Sequence, residues 1–502
     1  MSYPYGAAPG GYAVGPIPTA PAQAYPMPAP YRPVYQPMRQ TGIGKIIFWI
    51  IAGLVFLVCG LASVVLTGFE TGIVGVALGA IFAILPVPVI ALTAVWLSWA
   101  QPQPWGARIF ALCWGAAIAT LFAAIFNTVT GLVITQQVGQ SSGDILTAVL
   151  VAPPVEETCK GLALLGIFLF SRFGNNGRYF TGPVDGITYA LFAGAGFAFT
   201  ENIAYLGRAY AGGLQASNGM TGTALVLLLF VFAIRCVGTP FGHPLFTSAT
   251  GLGLGVAARS NHHIAVRIIA PVVGWLVAMM LHGLFNLTAS YLPDYVMKAL
   301  GGDSLTSVLI ANGSFVVALF PLFAIGVAVA IYARQSQFRV VKRGLPQYAS
   351  AGWIGQDEVD WLSTLRGRSQ ARKWARQVAG QPGLSAMKEY QYAATRLAIL
   401  RDGANRGQVP HDFARTEQGL LAALGQQRKF FSPHAAQSGQ MPGGAAPRFT
   451  AQAYGSPQSA PPYGQASSPP YGQPSAPPYG SPQSAPPYGP GGQTQSWNRP
   501  PS

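Results

Sequence analysis

The sequence predicts an all-α polytopic membrane protein, with about eight transmembrane helices between low-complexity tails. Three observations predict it. Only 9% of the 502 residues are charged while 50% are hydrophobic, against roughly 25% charged in soluble domains. The 61 glycines and 42 prolines crowd toward the two ends. Between those ends run apolar stretches near 43–68, 73–99, 107–135, 144–171, 184–207, 222–258, 264–291 and 307–333. Each is long enough to cross a hydrocarbon core of about 30 Å, which takes about 20 helical residues.

Residues 1–42 are rich in Pro, Ala, Gly and Tyr and have no basic segment leading into a short apolar core. No cleaved secretory signal is therefore expected; the first apolar stretch is itself the first insertion signal. Charge placement tests the spans independently. Arg32, Arg39 and Lys45 precede the first, Arg108 follows the second, Arg172 and Arg178 the fourth, Arg259 and Arg267 the sixth, and a basic cluster from Arg334 the eighth. The alternate connections carry Glu70, Asp144, Arg208, and Lys298 with Asp294 and Asp303. The positive-inside rule then puts both termini in the cytoplasm of a multi-pass cell-membrane protein.

Residues 334–431 hold 16 Lys/Arg against 7 Asp/Glu, which is where much of the +15 net charge resides. A basic segment beside a membrane answers to topology and anionic lipid, so no nucleic-acid partner is expected. Apolar residues at helical spacing predict a helix between Gly383 and Gly403, and another from Asp412 to Lys429. This segment reads as a basic, partly helical cytoplasmic unit. Beyond it, residues 432–502 repeat Pro-Pro-Tyr-Gly at Pro461, Pro469, Pro477 and Pro486 in a Ser/Gln/Gly matrix. Such a composition buries too little apolar surface to offset chain entropy and reads as disordered. The four cysteines all lie within apolar runs, which argues against a disulfide scaffold.

Away from their ends, the apolar stretches hold seven Asp, Glu, Lys, Arg or His residues: Glu156, Glu157, Lys160, Glu201, Arg235, His243 and His282. Each costs at least a few kcal/mol in a membrane, so such groups normally face a polar cavity and serve function. The plainer reading is buried ion pairing that fixes helix packing, and Arg235 and Lys160 suit it best. Depth favours chemistry. Glu156, Glu201, His243 and His282 stand 15 or 16 residues from the basic or acidic residue that closes each span, roughly 22–24 Å along a helix. Two carboxylates and two imidazoles from four helices thus share one level in the outer third of the membrane.

Proline sharpens the picture. Pro153-Pro154 predicts a helix starting near Pro154, with Glu156 and Glu157 in a first turn whose dipole favours carboxylates. Pro240 and Pro244 bracket His243 and predict a break there. Broken helices at membrane depth are tolerated where they line a watery cavity.

At this point the residues resemble a family. Glu156-Glu157-Thr158-Cys159-Lys160 resembles the E-E-x-x-K motif of the PrsW-type intramembrane proteases. Phe197 to Glu201 is similar to the second motif, F-x-x-x-E; His243 within His-Pro-Leu-Phe resembles the third, and His282 to Asn286 the fourth, H-x-x-x-N. The wider superfamily includes CAAX prenyl endopeptidases and bacteriocin self-immunity proteins. The resemblance spans roughly residues 140–292. It implies an intramembrane endopeptidase with Glu156, Glu157, Glu201, His243, His282 and Asn286 as site residues. It also implies a membrane-protein substrate, such as a single-span anti-sigma factor, and the depth of the cluster puts the cut near the outer face.

The residues support hydrolysis on their own terms. Peptide hydrolysis needs an activated water, a proton for the leaving amine and a stabilised oxyanion. One glutamate of the pair is suited to take the water's proton, and spacing does not tell which. His282 and Asn286 are four apart, share a helical face and are suited to an oxyanion hole or to orienting the water. His243, His282 and Glu201 offer three ligands for a divalent metal such as zinc, leaving a fourth position open, although no H-E-x-x-H is present. The alternatives are a proton-coupled transporter, since buried Glu and His also form relays, and a non-catalytic scaffold or immunity-like protein. His262, His263, His411 and His434 belong to the basic loop and soluble tail.

Overall fold

Long runs of Ala, Leu, Val and Ile favour helix wherever glycine and proline do not interrupt them, and the interruptions divide this chain. The computed structural model of the protein describes residues 43–174, 179–260, 264–301, 304–407 and 412–431. The tails 1–42 and 432–502, with the Pro-Pro-Tyr-Gly repeats, lie outside the described residues, as do Arg178, His262, His263, Asp303, His411 and His434. Among the described residues the structure is helical, with no strand.

The order is α1 (Ile43–Ala83), α2 (Pro86–Leu97), α3 (Trp105–Cys113), α4 (Thr120–Val138), α5 (Gln140–Leu146), α6 (Ala152–Leu169), α7 (Pro183–Ala216), α8 (Thr221–Phe232), α9 (Gly242–Arg259), α10 (Ile264–Leu300) and α11 (Leu305–Gly344). Then come α12 (Pro346–Ser350), α13 (Gln356–Leu362), α14 (Leu365–Asn405) and α15 (Phe413–Arg428). Wider π-helical turns, at Trp114–Ala119, Thr147–Val151 and Ala233–Gly238, lead into α4, α6 and the α8–α9 break.

Among the described residues, five stretches are long and apolar enough to cross a membrane: Ile46–Leu97, Trp105–Val138, Thr221–Arg259, Ile264–Leu300 and Leu305–Ser350. The first folds back on itself. Trp49 lies against Gly106 and Ser98 accepts from Arg108, so residues 49 and 98 sit at the same end. Between them Glu70 pairs with Arg208 near the far end of α7. The chain reverses at Gly72, whose φ of 71° and ψ of 165° depart from helix and suit glycine. The helices bearing Glu156, Glu157, Lys160 and Glu201 fall outside the five because charges, glycines and threonines dilute their apolar character.

Helix α7 runs through the middle and is buried along most of its length. Small residues allow its neighbours to approach closely. A Cβ on Gly194 would lie 2.6 Å from the backbone of Pro244 and 2.9 Å from that of His243, so glycine there is what lets the start of α9 rest on α7. Close approach through small residues is how membrane helices associate without a hydrophobic driving force.

The segment after α11 builds its own core from Tyr348, Trp361, Met387, Tyr390, Leu397, Leu421 and Phe431. Its first long helix starts at Leu365, well before the expected Gly383, because Ala371, Trp374 and Ala375 also give it a buried face. The helix breaks at Ala379–Gly380, ahead of Pro382. Arg368 is fully buried; it donates to the carbonyls of Leu362 at 2.6 Å and Ala100 at 3.5 Å, and to Thr395 Oγ1 at 2.6 Å. Burial pulls its pKa down to about 9. Arg372 stacks on Trp99, and Asp402 pairs with Arg259. The segment is thereby fastened to the end of the apolar bundle that carries Arg108.

Candidate active site

The two glutamates do not occupy a first helical turn. Helix α6 begins at Ala152 with Pro153 and Pro154 in its opening turn, and no acidic residue falls there. Glu156 and Glu157 lie one turn further in, because the π turn Thr147–Val151 carries helical backbone up to the prolines. These carboxylates therefore lie beyond the turn where the helix dipole favours them, and their setting comes from neighbouring helices. The break at His243 is present: the chain turns at Thr239–Phe241 between the π turn and α9, and His243 is the second residue of α9.

Helices α6, α7, α9 and α10 bring Glu156, Glu157, Glu201, His243 and His282 into one contiguous cluster. His243 Nε2 lies 2.7 Å from Glu201 Oε2, and His282 Nδ1 lies 3.1 Å from Glu157 Oε1. Each imidazole thus gives one N–H to a carboxylate. The opposite nitrogens converge on a single atom, Glu156 Oε2, with His243 Nδ1 at 4.0 Å and His282 Nε2 at 3.8 Å. That oxygen is buried and has no hydrogen-bond partner. The other oxygen, Oε1, accepts from Asn127 Nδ2 at 3.2 Å.

Lys160 sits among these groups. Its Nζ is 2.5 Å from Glu157 Oε1, 3.1 Å from His243 Nδ1 and 3.8 Å from Glu156 Oε2, and it lies over the Phe197 ring. Glu157 also accepts from Thr247 Oγ1 at 2.9 Å. Arg235 donates to Glu201 Oε2 at 2.5 Å and to Asn202 Oδ1 at 2.7 Å, with its guanidinium over Tyr205. Both cations therefore join the cluster itself and do not pair elsewhere.

Two expectations change. Among the described residues, the donors that could hold a metal ion are Glu156, His243 and His282, whose ligand atoms lie within 4.8 Å of one another; Glu201 was expected in place of Glu156. Glu201 is engaged by Arg235, and its Oε2 lies against the far nitrogen of His243. Asn286 lies on the same cavity wall as His282, yet its Nδ2 donates to the Ala148 carbonyl in the π turn at 2.7 Å. Its amide is tied to the backbone and not aimed with the imidazole at one atom. Asn127 and Thr247 were not singled out from sequence. A lone Asn within the apolar run 107–135 is the signal that marks the first; Thr247 gives none.

The cluster forms one wall of a cavity of about 690 Å³, reached by Glu156, Glu201, Arg235, His243, His282 and Asn286. Glu70, Arg208, Gln140 and Asp144 also line it. A bundle of apolar helices enclosing carboxylates and imidazoles around a polar cavity defines a membrane protein with an ionisable centre inside the bundle. The match to known families is more specific: residues 103–341 match the model of the PrsW family intramembrane metalloprotease. This bears out the resemblance carried by the four motifs. No curated protein and no solved structure matches the chain.

Proposed function

We propose that the chain is an intramembrane endopeptidase whose reacting centre is Glu156. One observation carries this reading: Glu156 Oε2, buried and without a hydrogen-bond partner, faces two imidazole nitrogens on the wall of a cavity large enough for a peptide segment. A buried polar atom left unpaired costs stability, so its retention points to use. The wider reading has eight spans and cytoplasmic termini, with the cavity in the outer third of the membrane. The substrate is another membrane protein, and a single-span regulatory client such as an anti-sigma factor suits that geometry.

The chemistry follows from the contacts. Glu157 is neutralised by Lys160 at 2.5 Å and bonded by Thr247 and His282, so it serves to hold His282 and Lys160. Glu156 lacks such a close cation and is the carboxylate suited to take a proton from water and return it to the leaving amine. Glu201, held by Arg235, fixes the His243 ring so that Nδ1 faces Lys160 and Glu156.

The donor set, one carboxylate oxygen and two imidazole nitrogens, suits zinc with an open position. Glu156, His243 and His282 would hold such a metal, which when bound supplies a Lewis acid for the scissile carbonyl. The carboxylate has two oxygens, so holding a cation and accepting a proton are compatible. A second reading has support in the 3.1 Å contact of Lys160 with His243 Nδ1: the ammonium already places a cation at that nitrogen, and glutamate-activated water acts without metal. A chelator separates the two. Loss of cleavage restored by zinc supports the metal, while full activity in protein that elemental analysis finds metal-free supports the second.

The carrying test is Glu156→Gln, alone and with Glu157→Gln, scored as activity per folded molecule. Gln keeps the shape and cannot act as a base, so the rate is expected to fall by about 10²–10⁴. A rate per folded molecule equal to wild type in the double variant would overturn the reading. Activity that merely tracks protein abundance would make the cluster structural, since removing Glu157 strands Lys160 in the membrane.

A further inference from the structure

Helix α4 carries none of the four motifs, yet it contributes a polar side chain to the cluster. Asn127 Nδ2 donates to Glu156 Oε1 at 3.2 Å. The direction is fixed by chemistry, because an ionised carboxylate only accepts and the amide's donor is its nitrogen. The amide oxygen is then turned away from Glu156. Asn127 Oδ1 is buried and accepts no hydrogen bond. Asn127 lines the cavity with Glu156, His243 and His282.

Two further features bear on this residue. The π turn Trp114–Ala119 immediately precedes α4, and Thr120 Oγ1 reaches back to the Gly115 carbonyl at its base at 2.8 Å. A π turn changes the register of everything after it, and such turns gather at functional sites; here it sets which face of α4 meets Glu156. The second feature is Asn286, the amide expected to serve the reaction, which spends its donor on the Ala148 carbonyl. Asn127 is thus the amide in direct contact with the candidate base.

We infer that Asn127 is a further catalytic residue, whose Oδ1 accepts one hydrogen of the attacking water while Glu156 accepts the other. This rests on the endopeptidase reading of Glu156. Water has two donors, and two acceptors on adjoining side chains fix both, which directs a lone pair away from them toward the scissile carbonyl. In the step, the water oxygen bonds to the carbonyl carbon as its proton passes to Glu156. The carbon–nitrogen bond then breaks, and the proton goes from Glu156 to the leaving amine. Asn127 gains and loses no proton. Its Nδ2 keeps the carboxylate in place as that charge is lost and regained.

The experiment uses the full chain in liposomes with a panel of quenched-fluorescent single-span peptides, each with an apolar core of about 20 residues. Wild type, Asn127→Ala, Asn127→Leu and Glu156→Gln are compared for kcat, KM and thermal melting. The inference expects kcat to drop by about 10–10²-fold in both Asn127 variants, the scale of a misplaced reactant. KM should stay within about twofold and melting should be unchanged in at least one of the two. Wild-type kcat in either folded variant overturns it. A raised KM at constant kcat overturns it too, since that assigns Asn127 to substrate binding. A kcat loss matched by lowered melting in both variants makes Asn127 a packing residue and likewise overturns it. Failure of the underlying reading has a separate signature: Glu156→Gln cleaves as wild type does, or wild type cleaves no peptide, and the inference falls with it.

Discussion

Arg235 illustrates how a single side chain can change role once its neighbours are known. From sequence it suits a buried ion pair, and it is one: its guanidinium is 2.5 Å from Glu201. The same Glu201 oxygen lies 2.7 Å from His243 Nε2, so the pair orients the imidazole whose other nitrogen faces Glu156. Removing Arg235 leaves Glu201 free to rotate and His243 free to change tautomer. Arg235→Met is expected to lower activity per folded molecule by about 10–100-fold, as is typical of partners that orient a functional histidine. Arg235→Lys keeps the charge but neither the planar contact with Tyr205 nor the paired bonds to Glu201 and Asn202, so it should recover part of the loss. Steady-state rates normalised to protein that elutes as a folded species check this. A wild-type rate in Arg235→Met would reduce Arg235 to a packing role.

At the scale of helices, the site depends on how closely α7 and α9 approach. Gly194→Ala would put a methyl group 2.6 Å from Pro244, so the start of α9 must move and carry His243 with it. A displacement near 1 Å at a reacting group costs about 10²-fold in rate. Gly212, on the same helix, has open space beside it, and Gly212→Ala serves as the control expected to act as wild type. Comparing the rates and melting temperatures of the two variants checks the argument. The same helices show what sequence could and could not convey. The convergence of Glu156, Glu201, His243 and His282 was legible because depth along a helix is a count of residues. The choice of Glu156 over Glu201 beside the two imidazoles was not, because it depends on how α6 and α7 are rotated about their axes. Asn127 escaped notice for a related reason: α4 matches no motif, and a π turn resets the register that would aim the residue.

For the whole molecule, the two ends of the bundle differ in charge. At one end Arg108 joins Ser98 and Gln103, and Asp185 accepts from Gln103. Arg259 reaches Gly182 and Asp402 there, and Arg334 stacks on Trp96. The opposite end holds Glu70 with Arg208, and Gln140 with Asp144. Basic residues thus gather where the C-terminal helices dock, and cytoplasmic loops are where Lys and Arg accumulate. The reversal at Gly72 matters here, since without it every later passage would run the other way. Reporter fusions after Asn218 and after Gly302 are therefore expected to read extracytoplasmic, and fusions after Arg178 and after Ser260 cytoplasmic. The candidate site stands on the side of Glu70 and Arg208, which line its cavity, so this orientation also decides on which face a client would be cut. Cleavage products should accordingly separate near the extracytoplasmic end of the client's span. If any one of the four fusions reads on the wrong side, both the orientation and the outer-face cleavage inferred from it are lost, while the internal geometry of the glutamate–histidine cluster is untouched.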